Sequence, residues 1–102
     1  MKYREVYNIL GDLQSKVFEE LKASRKLESN RPDLYRAYNL AGKAMRLLEK
    51  GEKKEAYDTL GDVQADAFEE LEFGDLEASN RATFYRIYWA AWQAMHLLEE
   101  AE

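Results

Sequence analysis

Apolar residues recur every three or four positions through most of this chain. At a helical step of about 100° per residue, Tyr3, Val6, Leu10, Leu13, Val17 and Leu21 fall within about 60° of one line. Ala56, Leu60, Val63, Ala67 and Leu71 do the same. Leu34, Tyr38, Ala41, Met45 and Leu48 follow steps of four and three, a heptad seam, and Phe84, Tyr88, Ala91, Met95 and Leu98 repeat it. The pattern predicts four amphipathic helices of about 20 residues, each about 30 Å long. The punctuation agrees. Asn30 with Asp33 reads as a capping-box start, and Pro32 is tolerated only in a first turn. Gly51 suits the left-handed residue that closes a helix, and Gly74 is expected to act similarly after the third.

Laid over residues 51–100 without a gap, residues 1–50 match at 22 of 50 positions. "YNILGDLQSKVFEEL" pairs with "YDTLGDVQADAFEEL", and "SNRPDLYRAYNLAGKAMRLLE" with "SNRATFYRIYWAAWQAMHLLE". The chain thus reads as one domain, 1–102, made of two homologous helix–loop–helix repeats, 1–50 and 51–102. Four such helices with short connections predict an all-α, antiparallel four-helix bundle. The other arrangement is a superhelical stack of hairpins. "LLEKGEKKEAYDTLG" resembles the inter-helix turn of a tetratricopeptide repeat over its fifteen residues, but the internal period is 50 rather than about 34.

Composition removes several kinds of chemistry. There is no cysteine and one histidine, His96, so neither a thiolate metal site nor a Glu-x-x-His di-iron pattern is available, and no cofactor is expected. No glycine-rich phosphate loop occurs. The carboxylate pairs Glu19–Glu20 and Glu69–Glu70 diverge by about 100° on a helix and suit solvated faces. An enzyme is not expected. The net charge of −5 argues against nucleic acid or anionic membrane as the partner. No stretch has the form of a signal peptide or a transmembrane span, so a soluble protein compatible with cytoplasmic expression is expected. The charge is uneven: residues 1–50 hold 11 Lys and Arg against 7 Asp and Glu, net +4, and residues 51–102 hold 4 against 13, net −9.

The positions that differ between the repeats carry the functional signal. Asn39 corresponds to Trp89, Gly42 to Trp92, Lys43 to Gln93 and Arg46 to His96. With Ala91 as zero, Trp92 lies at about 100°, Tyr85 at about 120°, His96 at about 140° and Trp89 at about 160°, one stripe turned away from the seam. An exposed aromatic stripe costs solubility unless something covers it, and Trp and Tyr dominate binding hot spots. In the third helix Lys16 corresponds to Asp66, Lys22 to Glu72 and Ala23 to Phe73. Tyr85, Trp89, Trp92 and His96 are therefore expected as anchors, with Asp62, Asp66 and Phe73 as flanking contacts. The matching partner is a protein with a basic, pocketed surface, which opposite charge would also steer, or a second copy in a homodimer. The intramolecular alternative wedges Trp92 between two helices and packs Trp89 under the Phe73–Leu76 connection.

Two further features have bland and sharp readings. Gln14 and Gln64 lie about 40° from the core lines, where an amide either faces water or sets register through a buried hydrogen bond, or lines a small-molecule pocket. "LGD" at Leu10–Asp12 and Leu60–Asp62 resembles the Leu-Gly-Asp of BH3 helices, but Gln14 and Gln64 stand where an apolar anchor would follow. A gapless tandem of one hairpin without cysteine looks like an engineered or designed helical bundle. An ancient natural duplication is the competing origin. The acidic, aromatic face of the second hairpin leads to the expectation of a non-enzymatic binder, a cytokine-like receptor ligand being one form. The alternative is a structural or self-associating bundle with no external ligand.

Overall fold

The structure is a computed structural model that describes residues 3–23, 31–74 and 78–100, with 78–80 as backbone alone. Its four helices are α1 (Arg4–Ala23), α2 (Arg31–Glu49), α3 (Lys53–Phe73) and α4 (Ala78–Glu100). They form a ring in which α1 packs on α2, α2 on α3, α3 on α4 and α4 on α1. Cross-helix contacts set the directions. Tyr7 at the start of α1 donates a hydrogen bond to Glu49 at the end of α2 (2.7 Å), and Tyr57 at the start of α3 bonds Glu99 at the end of α4. Arg36 near the start of α2 pairs with Asp66 late in α3. Neighbours in the chain are therefore antiparallel, and the fold is an all-α four-helix bundle of 42 × 24 × 16 Å.

The core divides into two stacked clusters. Leu13, Val17, Leu34, Ala37, Val63, Ala67, Phe84 and Ile87 fill one half. Val6, Leu10, Ala44, Leu48, Ala56, Leu60, Ala94 and Leu98 fill the other. The buried stripes of α1 and α3 follow the predicted periodicity, save that Tyr3 and Leu71 are only partly buried and Thr59 joins the buried set. On α2 and α4 the seam is displaced. Its buried residues are Leu34, Ala37, Ala41, Ala44 and Leu48, and Phe84, Ile87, Ala91, Ala94 and Leu98. Tyr38, Met45, Tyr88 and Met95, expected in the seam, are only partly buried at its edge. Alanines at these positions let the helices approach, and the larger side chains seal the rim. Phe18 and Phe68, whose conservation between repeats suggests core, are about half exposed.

The helix ends follow local chemistry. Gly51 takes φ +78°, its N–H bonds Leu48 O (3.0 Å), and the Glu52 N–H bonds Leu47 O (2.9 Å), a Schellman closure of α2. Gly74 does not act in the same way. It is extended (φ −78°, ψ 152°), with its N–H on Glu70 O at 2.9 Å. Glycine is required there because a Cβ would lie 2.5 Å from Glu70 O. Arg31 Nη1 reaches back to Leu21 O (2.8 Å) and Arg81 Nη1 to Leu71 O (3.3 Å), so a cation from the next helix satisfies carbonyls near the ends of α1 and α3. Pro32 is the second residue of α2; Asn30 lies outside the described residues.

Candidate partner-binding face

The outward side of α4 carries a continuous run of rings. Tyr88 and Trp89 meet edge to face at 5.2 Å between centroids (89°), Trp89 and Trp92 at 5.6 Å (75°), and Trp92 and the His96 imidazole at 4.0 Å (46°). Steps of three and four residues along one helix bring successive side chains side by side. Trp89 is 54% exposed, Trp92 41% and Tyr85 49%. The stripe is thus open to solvent: Trp92 is not wedged between helices, and among the described residues nothing roofs Trp89. The connection beyond Gly74 lies outside them through residue 77. His96 is also exposed, with Nδ1 4.0 Å from Glu99 Oε2.

The residue corresponding to Trp92 has a different setting. That residue, Gly42, is buried because the Gln14 side chain crosses it: Gln14 Nε2 donates to Tyr38 O (3.2 Å), and a Cβ on Gly42 would stand 2.9 Å from that nitrogen. Among the described residues, Gln64 makes no matching bond to Tyr88 O; it lines a shallow recess of about 270 Å³ with Gly61, Ala65, Phe68 and Tyr88. The two glutamines therefore part company. Gln14 pins α1 to α2, and Gln64 lines the recess instead.

Beside the stripe, α3 and α4 enclose a second depression of about 200 Å³ lined by Phe68, Leu71, Glu72, Tyr85, Tyr88 and Trp89. Phe68 and Tyr88 form its base, 6.2 Å apart and tilted by 39°. Phe68, Tyr88, Leu71 and Glu72 are absent from the set that the differences between repeats select. Phe68, Tyr88 and Leu71 are shared by both repeats, so comparing the repeats hides them; Glu72 differs, and its charge reversal is the available signal.

The expected acidic flank is not on this side. Asp66 bonds Arg36 of α2, and the Arg36 pKa is raised by that hydrogen bond first, then by the charges of Asp66, Asp62 and Asp33. Asp62 and Asp66 thus belong to the α2–α3 seam, away from the tryptophans. The reason is angular: they sit on the flank of α3 that meets α2, whereas Phe68 and Glu72 sit on the flank that meets α4. Phe73 is 84% exposed at the end of α3 and lines neither depression. The α2–α3 seam also joins Asp33 to Glu70. The hydrogen bond that protonated Glu70 donates to Asp33, partial burial and the charges of Asp33 and Glu69 push the Glu70 carboxyl up from 4.5 to about 7.

Among the described residues, no helix is long and apolar enough to cross a membrane. No family model, curated protein or solved structure matches this chain.

Proposed function

We propose that this protein is a non-enzymatic binding module whose α3–α4 face takes a basic protein segment. One observation carries the reading: Tyr85, Trp89 and Trp92 are solvent-exposed in a single contiguous stripe beside an aromatic-walled depression. Aromatic anchors beside a pocket are the usual makings of a hot spot. The charge of −9 in residues 51–102 favours a cationic partner and speeds encounter with one. Anchors are Trp89, Trp92, Tyr85 and His96, with Glu72 taking the flanking role first expected of Asp62 and Asp66. The 22 of 50 matching positions, set against two exposed tryptophans that only one half carries, support an engineered tandem of one hairpin with one surface altered.

Trp89→Ala/Trp92→Ala tests the reading. Both rings are about half exposed and lie outside the two core clusters, so the variant keeps the wild-type circular dichroism. Peptides selected from a randomised library on the wild type then lose at least about tenfold in affinity, the scale of one hot-spot residue. Unchanged affinity would sink the assignment. Sedimentation of both proteins covers the self-associating alternative, in which the wild type is a dimer and the variant a monomer.

A further inference from the structure

The two hairpins treat the same aromatic corner in opposite ways. In the first, Phe18 and Tyr38 stand 6.2 Å apart at 41°, nearly the geometry of Phe68 and Tyr88. There Lys22 Nζ lies 5.5 Å from the Phe18 ring centroid, so the hairpin supplies its own cation to the aromatic face. In the second hairpin the residue at the Lys22 position is Glu72, and the residue at the Asn39 position is Trp89. The internal ammonium has become a carboxylate, and one wall has been added. Trp89 meets Tyr88 at 89°, so the two rings present perpendicular surfaces at the depression of about 200 Å³, and Glu72 lines its rim. Of the cations near it in sequence, Arg81 is engaged with Leu71 O at 3.3 Å and Arg86 lines the groove between α1 and α4, and neither lines the depression.

We infer that the Phe68–Tyr85–Tyr88–Trp89 depression, with Glu72 at its rim, is a binding site for a cationic side chain of the partner, an ammonium or guanidinium at the end of an apolar stem. This deepens the reading of α3–α4 as a partner-binding face. The ring faces attract the charge, the apolar walls cover the stem, and Glu72 neutralises the head. An aliphatic side chain would fill the same space but leave Glu72 without a countercharge.

The experiment follows the ring signals of Tyr88 and the indole N–H of Trp89 by NMR while Nα-acetyl-lysine methylamide is added to its solubility limit. Its uncharged counterpart, Nα-acetyl-norleucine methylamide, is the control. The expected result is a saturable shift confined to this corner, with the control at least about tenfold weaker. Glu72→Lys rebuilds the arrangement of the first hairpin on an exposed position and abolishes the shift; Trp89→Asn abolishes it without changing the charge. No shift in the wild type, equal shifts with both probes, or an undiminished shift at Tyr88 in Trp89→Asn would each overturn the site. If those results come with peptides that still need Trp89 and Trp92, the face binds by apolar burial and only the cation site falls. A shift obtained from a face that binds peptides without its tryptophans upholds the site and removes the wider reading.

Discussion

Gly42 and Trp92 stand at corresponding positions in different surroundings. The glycine lets a glutamine amide lie across the helix and reach Tyr38 O. The tryptophan is a link in the stack from Tyr88 to His96, and among the described residues Gln64 makes no such bond. Glu70 is a second residue whose behaviour depends on its setting. Its pKa of about 7 lies above the ordinary 4.5, so the folded state holds the proton more tightly than the unfolded state between those values. The stabilisation from the protonated pair is complete below about pH 4.5 and is lost as pH rises through about 7. Glu70→Gln keeps a hydrogen-bonding amide and removes the titration. Its melting temperature relative to wild type should be near zero difference at pH 4.5 and positive at pH 8, as read by thermal denaturation. A difference that does not change with pH would refute the coupling to Asp33.

The helices of the two hairpins differ in compensating directions. From α1 to α3 the buried positions shrink: Val6 to Ala56, Leu13 to Val63, Val17 to Ala67. From α2 to α4 they grow: Leu34 to Phe84, Ala37 to Ile87. Cores tolerate change that keeps total volume and penalise both voids and excess. Small residues on α3 therefore make room for the large ones on α4. Ala67→Val, which restores the residue of the first hairpin, should overfill the cluster shared with Phe84 and cost about 1–3 kcal/mol in urea denaturation. Adding Phe84→Leu should recover part of that cost, and strictly additive effects would show that the two positions do not share space. The same packing explains the displaced seam of α2 and α4. A helical wheel places Tyr38 and Ala37 on nearly equal footing, and contact with the neighbouring helices decides that alanine goes inward and tyrosine to the edge.

Around the whole bundle, the four seams are not equivalent. Chain connections join α1 to α2, α2 to α3 and α3 to α4, whereas α1 and α4 meet through packing alone. The α2–α3 seam is bridged by Arg36 and Asp66. Its counterpart across the ring places Lys16 and Arg86 on a groove of about 520 Å³ that Ile9, Leu13 and Ala90 also line. Among the described residues Arg86 has no ion pair, and Lys16 has only Glu19, on its own helix at 4.0 Å. Lys16→Asp would place at this seam the pair that holds the other. It should raise stability by up to about 1 kcal/mol, the range of an exposed ion pair, with the gain fading as salt is added. Melting temperatures at low and high ionic strength check this, and a loss of stability on substitution would show that Lys16 and Arg86 do not face one another.

Periodicity and punctuation alone determine that there are four helices, where α1 and α3 bury their apolar sides, that α2 ends at Gly51, and that Tyr85, Trp89, Trp92 and His96 share one stripe. These are properties of residues close together along a helix, and a 3.6-residue turn fixes them before any helix meets another. Only the tertiary structure decides which seam a flank of a helix faces. It sends Asp62 and Asp66 to Arg36, brings Phe68 and Glu72 beside Tyr88 and Trp89, and moves Tyr38 and Tyr88 to the rim of the core. Those outcomes depend on which helices become neighbours and on the volumes that must fit between them, and neither is written within fifty residues of one hairpin.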